Sequence, residues 1–127
     1  MQEQLIQSLE KEGLPTVCFF DASKKLAGDR WQVNLVVRMQ VEVNESISGL
    51  PAPLDEIRRR LGDKVTFEHR ASRTFVAESE KEDLLNQMCE EFKNTSLPYL
   101  YHEDFRKNLI TNRYRDLLTK DYFKKDG

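Results

Sequence analysis

The chain has 127 residues, of which 39% are hydrophobic and 33% are charged, and its formal net charge is −2. This length supports one domain around a single core, and the near balance of charge argues against nucleic acid as a partner. No apolar run approaches the roughly 18 residues that span a bilayer, and the N-terminal residues lack a signal-peptide pattern. We therefore expect a cytoplasmic protein without membrane contacts.

The N-terminal third predicts one helix followed by a β-hairpin. Apolar residues recur at helical spacing within residues 2–12, and Gly13 suits the position that follows a helix. Residues 16–22 are rich in aromatic and β-branched side chains, which favour a strand. The loop 23–30 would return the chain into the next strand.

Residues 31–43 form the strand around which we expect the fold to be organised. Its odd positions, from Trp31 to Val43, are all large and apolar, whereas its even positions are polar apart from Val36. Successive side chains of a strand point to opposite faces of the sheet. The pattern therefore predicts one apolar face, which the other elements cover, and one polar face.

The pairing register of the first hairpin decides which side chains of its first strand are buried. We favour a register that places Phe20 opposite Val33 on the apolar face. Val17 and Phe19 would then lie beside Val36 on the polar face. A shift of one residue would exchange the two sets, and the sequence leaves that alternative open.

Residues 64–77 predict a third strand, after a loop at 44–53 and a short helix at 54–61 that ends before Gly62. A parallel return would have to run back along the strand at 31–43, about 43 Å at roughly 3.3 Å per residue. A helix of this size covers only about 12 Å. We therefore expect the third strand to lie antiparallel to the second.

Two further helices are predicted in the C-terminal third. Ser79 and Glu82 have the spacing of a capping box, so we expect a helix with Ser79 as its N-cap that runs to about residue 94. The stretch 97–101 contains a proline and breaks it, and a last helix is expected over residues 103–119.

The predicted order is α-β-β-α-β-α-α, which indicates an α+β fold with a three-stranded antiparallel sheet and helices packed on one face. We expect residues 1–97 to form a single α+β domain. Residues 98–127 would form a C-terminal helical arm that packs on this domain or on a partner subunit.

The sequence contains no catalytic, metal or cofactor motif. Cys18 and Cys89 have apolar neighbours and are expected to be reduced thiols, and neither His69 nor His102 has the spacing of a zinc site. We expect no metal and no cofactor, and a small-molecule ligand stays undetermined. An enzyme with a pocket at His69, bounded by Arg73 and Cys18, is kept as an alternative, although the sequence leans towards a protein that is not an enzyme.

Five basic residues define a second alternative, a module that binds an anion or a nucleic acid. We favour solvated surface positions over such a site, because adjacent arginines of a helix point in different directions. The residues are Arg38, Arg58, Arg59, Arg70 and Arg73.

Surplus apolar residues support the leading hypothesis, a small non-catalytic interaction or assembly module that is homo-oligomeric. It would act through the exposed sheet face and the C-terminal arm, because exposed apolar patches mark interfaces. The predicted interface residues of the sheet are Val17, Phe19, Val36 and Val76. Those of the arm are Tyr99, Tyr101, Phe105, Tyr114, Tyr122 and Phe123.

Overall fold

A computed structural model describes residues 3–126 of the chain and the side chains of residues 3–120. The elements are β1 (Gln4–Leu9), β2 (Val17–Asp21), β3 (Lys24–Ala27), β4 (Arg30–Glu42), α1 (Leu54–Leu61), β5 (Lys64–Ala77), α2 (Glu78–Thr95), α3 (Leu97–Leu100) and α4 (Glu103–Asp126). The predicted α+β class is confirmed. None of the described helices has both the length and the hydrophobicity needed to cross a membrane.

The sheet is antiparallel and has five strands, so the prediction of three strands is wrong. β4 lies at its centre. Residues 30–32 of β4 pair with β3 and residues 35–39 with β2, while β5 pairs with almost the whole length of β4 on the other side. β1 pairs with the outer edge of β2. The antiparallel arrangement of β4 and β5 agrees with the prediction.

The predicted helix at residues 2–12 is wrong, because this segment contains β1. Leu9 opposes Val17 and Leu5 opposes Phe20, with an irregularity between Leu5 and Gln7. An isolated helix of this length is marginally stable in water, whereas the strand gains backbone hydrogen bonds to β2. Gly13, at φ +77°, lies in the turn of this hairpin and does not end a helix.

The predicted loop 23–30 is also wrong in part, since β3 lies within it. All four residues of β3 are exposed, so it has no apolar alternation from which it could be recognised. The turn between β3 and β4 contains Gly28 at φ +56°. The Asn34 side chain links β4 to its neighbours on both sides at the break between β2 and β3. Its Nδ2 donates to the Ala22 carbonyl (3.0 Å), and its Oδ1 accepts from Ser72 Oγ of β5 (2.6 Å).

The predicted hairpin register is wrong by an odd number of residues, which exchanges the two faces of β2. Phe20 opposes Val36 instead of Val33, and Phe19 opposes Val37. Val17 and Phe19 are consequently 0% exposed in the core. The physical reason is β3, which occupies the first part of β4 and moves the pairing of β2 further along it.

The apolar face of β4 lies where its pattern predicts. Trp31 at its start is half-buried, and the core residues that β4 contributes are Val33, Leu35, Val37, Met39 and Val41. β4 was predicted over residues 31–43 and spans Arg30–Glu42.

A β-bulge near the end of β5 places Val76 on the apolar face, where it is 8% exposed, so its predicted position on the polar face is wrong. Val33 opposes Arg73 while Trp31 opposes Val76, which leaves one extra residue in β5 and reverses the alternation beyond it. Phe75 in the bulge has φ +58° and is 74% exposed.

The helices pack on the apolar face. α1 matches its prediction and ends at Gly62, whose N–H donates to the Arg58 carbonyl (2.8 Å). α2 begins at Glu78 with Ala77 as its N-cap and no side-chain cap, so the capping role predicted for Ser79 is wrong. α4 is longer than predicted. Its buried residues Ile110 and Tyr114 belong to the same core cluster as the sheet residues.

Candidate interaction surface

The sheet face opposite the helices carries a group of ion pairs that we call the charged cluster, formed by Glu3, Arg38, Glu68 and Arg70. Arg38 binds Glu3 through two hydrogen bonds of 2.6 Å and donates through Nε to Glu68 Oε1 at 2.7 Å. Arg70 Nε donates to Glu68 Oε2 at 3.2 Å. The cluster thus joins β5 and β4 to the chain just before β1.

The charges of the cluster stabilise one another. The hydrogen bond from Arg38 holds the pKa of the Glu3 carboxyl below its usual range, and hydrogen bonds from Arg38 and Arg70 do the same for Glu68. Hydrogen bonds to the two carboxylates in turn raise the pKa of Arg38. Both glutamates are therefore ionised at neutral pH.

We expect the stabilising effect of Arg38 to disappear in acid. A carboxylate with a lowered pKa in the folded state stabilises the fold above its unfolded value, and this contribution is lost as the pH falls through the folded pKa. Arg38→Gln should therefore lower Tm at neutral pH, with a difference from the parent chain that shrinks towards about pH 3. Thermal unfolding at both pH values measures it.

The control for this prediction is Arg58→Gln. Among the side chains of residues 3–120, the ion-pair partner of Arg58 is the well-exposed Asp63 at 2.9 Å, and isolated surface ion pairs contribute little. Its effect on Tm at neutral pH should be the smaller of the two. An Arg38→Gln effect that stays constant down to about pH 3 would contradict the role given to the cluster.

The charged cluster covers Phe20 on the open face, and the apolar patch predicted there from Val17, Phe19, Val36 and Val76 is absent from the described surface. The Arg38 guanidinium lies 5.1 Å from the centre of the Phe20 ring. Val36, which opposes Phe20 in the ladder, is 0% exposed. With Val17, Phe19 and Val76 in the core, none of the four sheet residues predicted for an interface is accessible there.

The five arginines of the anion-binding alternative do not converge. Arg38 and Arg70 belong to the charged cluster on the open face, and Arg58 and Arg59 lie in the last turn of α1. Arg73 lies on the opposite face of β5 from Arg70, and its Nη1 donates to the Ser72 carbonyl (2.9 Å). An anion at Arg38 or Arg70 would have to compete with two bound carboxylates.

Three of the four arm aromatics whose side chains are described pack within the same chain. Tyr114 is buried, and Tyr101 and Phe105 are half-buried against the core. Burial raises the pKa of Tyr101. Tyr99 is 54% exposed. The side chains of two further predicted interface residues, Tyr122 and Phe123, lie outside the described residues.

Neither of the two pockets described for residues 3–120 joins the residues of the enzyme alternative. His69 is exposed on the helix side of β5, where its ring lies 5.2 Å from that of Phe92. Cys18 lies on the other face, near Ser8, and lines an open groove of about 680 Å³ that His69 does not line. Both cysteines are free, and the described residues contain no group of three or more side chains suited to a metal ion.

The free edge of β5 is the feature that the sequence did not reveal. β5 pairs only with β4 among the described strands, so its other edge borders no strand. The Val43 N–H donates to the Asp63 carbonyl at 2.8 Å, which identifies residues 43 and 63 as a hydrogen-bonded pair. Because such pairs alternate in an antiparallel ladder, the backbone groups of the even residues of β5, from Thr66 to Ser72, point outward.

Two arginines limit the part of this edge that is open. Arg113 Nη2 donates to the Thr66 carbonyl at 2.8 Å, and Arg73 occupies the Ser72 carbonyl. Between them, the N–H and C=O groups of Glu68 and Arg70 have no hydrogen-bond partner in the described part of the chain. Nine of the 14 residues of β5 are exposed, among them Glu68 and Arg70. We call the segment from Thr66 to Ser72 the open edge.

Comparisons with known proteins give no relatives: no family model, no curated protein and no solved structure matches this chain significantly.

Proposed function

We propose that the protein is a non-catalytic interaction module that docks an extended segment of another chain along the open edge of β5. The observation that carries the proposal is the set of four outward backbone groups on Glu68 and Arg70. Strand addition to a free sheet edge is a common mode of recognition, in which main-chain hydrogen bonds supply the affinity.

The charged cluster supports the same surface. An incoming strand would place its alternate side chains beside Glu68 and Arg70, so a partner with complementary charges is favoured. The ion pairs of the cluster also link β5 to β4 and to the chain before β1. The proposed interface is thus the sheet edge, whereas the sequence predicts the sheet face and the arm.

The test is a selection of peptides from a random library with the full chain as bait. We expect the selection to enrich extended peptides that protect the amides of Glu68 and Arg70 from hydrogen exchange. Arg70→Pro should abolish peptide binding, because proline lacks the N–H that points outward at this position. The fold should be kept, because a proline at an edge position leaves the hydrogen bonds between β5 and β4 intact.

Arg70→Ala is the matched control, since it removes the same side chain and keeps the N–H. It should retain most of the peptide binding. Enrichment of peptides that bind the Arg70→Pro and Arg70→Ala chains equally well, or protection at other amides, would contradict the proposal.

A further inference from the structure

We infer that the strand docked on the open edge is β5 of a second copy of this chain, in an antiparallel register centred on His69. The inference rests on the proposed function and names its partner. The two copies would be related by a two-fold axis, which makes both halves of the interface identical.

Backbone geometry restricts the possible registers. The outward groups belong to even residues, so hydrogen-bonded pairs must join an even residue of one copy to an even residue of the other. Within the open edge, Glu68 and Arg70 are the described residues that have both of their outward groups unoccupied. A register centred on His69 pairs Glu68 with Arg70 of the second copy and Arg70 with its Glu68. This gives four backbone hydrogen bonds before the strands reach the Thr66 and Ser72 carbonyls, which Arg113 and Arg73 occupy.

Charge selects the same register. A centre at residue 68 would place two glutamates opposite each other, and a centre at residue 70 would oppose two arginines. A centre at residue 67 would place Arg70 opposite Lys64. Like charges directly opposite destabilise a pair of strands, and opposite charges stabilise it. Only the register centred on residue 69 places Glu68 of one copy opposite Arg70 of the other at both positions related by the two-fold axis.

The helix side of β5 fits this arrangement as well. Phe67 and Ala71 are half-buried there, and in this register Phe67 of each copy opposes Ala71 of the other. Their remaining apolar surface would be covered on association. The bulge at Phe75 ends the regular part of the strand, because bulges bend an edge away from further pairing.

The first test is sedimentation equilibrium of charge-reversed full chains from low to high micromolar concentration. The parent chain should dimerise. Glu68→Arg and Arg70→Glu should each weaken the dimer about tenfold or more, because each substitution opposes like charges at two symmetric positions. An equimolar mixture of the two variants should recover association, since every contact in the mixed dimer then joins opposite charges.

The second test is disulfide trapping, which does not depend on the ion pairs. His69→Cys places two cysteines opposite each other at the axis, about 4.5 Å apart between Cα atoms, and this separation permits a disulfide. Arg73→Cys is the control, because residue 73 opposes residue 65 and the two cysteines lie roughly 26 Å apart at about 3.3 Å per residue. The parent chain, with Cys18 and Cys89, gives the background.

A monomeric parent chain, failure of the mixed variants to associate, or equal cross-linking of the His69→Cys and Arg73→Cys chains would each overturn the inference. If the selected peptides still bind the open edge in that case, the proposed function stands and the partner is a different chain. If the peptides also fail, both proposals fail.

Discussion

Phe19→Ala is expected to destabilise the domain by about 3–5 kcal/mol, the usual cost of replacing a fully buried phenylalanine with alanine. The Phe19 ring is 0% exposed and meets the ring of Phe92 edge-on, with 5.8 Å between the ring centroids. The loss removes this contact and leaves a cavity between β2 and α2. Urea unfolding followed by circular dichroism measures the change.

Phe20→Ala is the matched control, because it makes the same substitution at the next residue. Phe20 is half-buried on the open face, beneath Arg38. We expect a cost of only about 1–2 kcal/mol, from the smaller apolar area that it buries. The register derived from the sequence requires the reverse order, so a larger effect at Phe20 than at Phe19 would contradict the pairing of β2 with β4.

Ile110→Ala is expected to cost about 2–5 kcal/mol, although Ile110 belongs to the C-terminal helix that the sequence separates from the domain. Its side chain is 0% exposed within the core that it shares with the sheet. Because these contacts lie within one chain, the difference in unfolding free energy between the Ile110→Ala chain and the parent chain should not vary with protein concentration.

Leu118→Ala, on the same helix, is the control. Leu118 is 39% exposed, and surface substitutions rarely change stability by more than about 0.5–1 kcal/mol. Equal effects of the two substitutions would show that α4 does not contribute to the core as described. If the loss of stability caused by Ile110→Ala became smaller as protein concentration rises, this would indicate that the helix packs on a second copy.

Much of the fold from β4 onwards was predictable because its signals are local. The alternation of β4 and β5 is a property of each strand alone, and the helix at 54–61 with its terminal Gly62 needs only its own residues. The polar faces of these strands were predictable for the same reason. Glu68 and Arg70 could therefore be placed together on the open face, although their role at an edge could not.

The part of the fold before β4 was predicted less well because its structure depends on pairing. β1 has helical spacing, yet it becomes a strand because β2 offers it a ladder. β3 has no apolar signal and exists because the start of β4 is free to pair with it. Its presence moves β2 along β4 by an odd number of residues, which buries Phe19 and exposes part of Phe20.

The amino-acid sequence by itself determined the α+β class, the antiparallel return of β5 and the apolar face of β4. The reason is that hydrophobic periodicity and the residues that end a helix or strand are local properties of each segment. Only the tertiary structure decided which strands are neighbours, in which register they pair, and which strand is left at the edge. These choices depend on backbone groups, which every residue except proline carries alike. The open edge of β5 is therefore a consequence of topology.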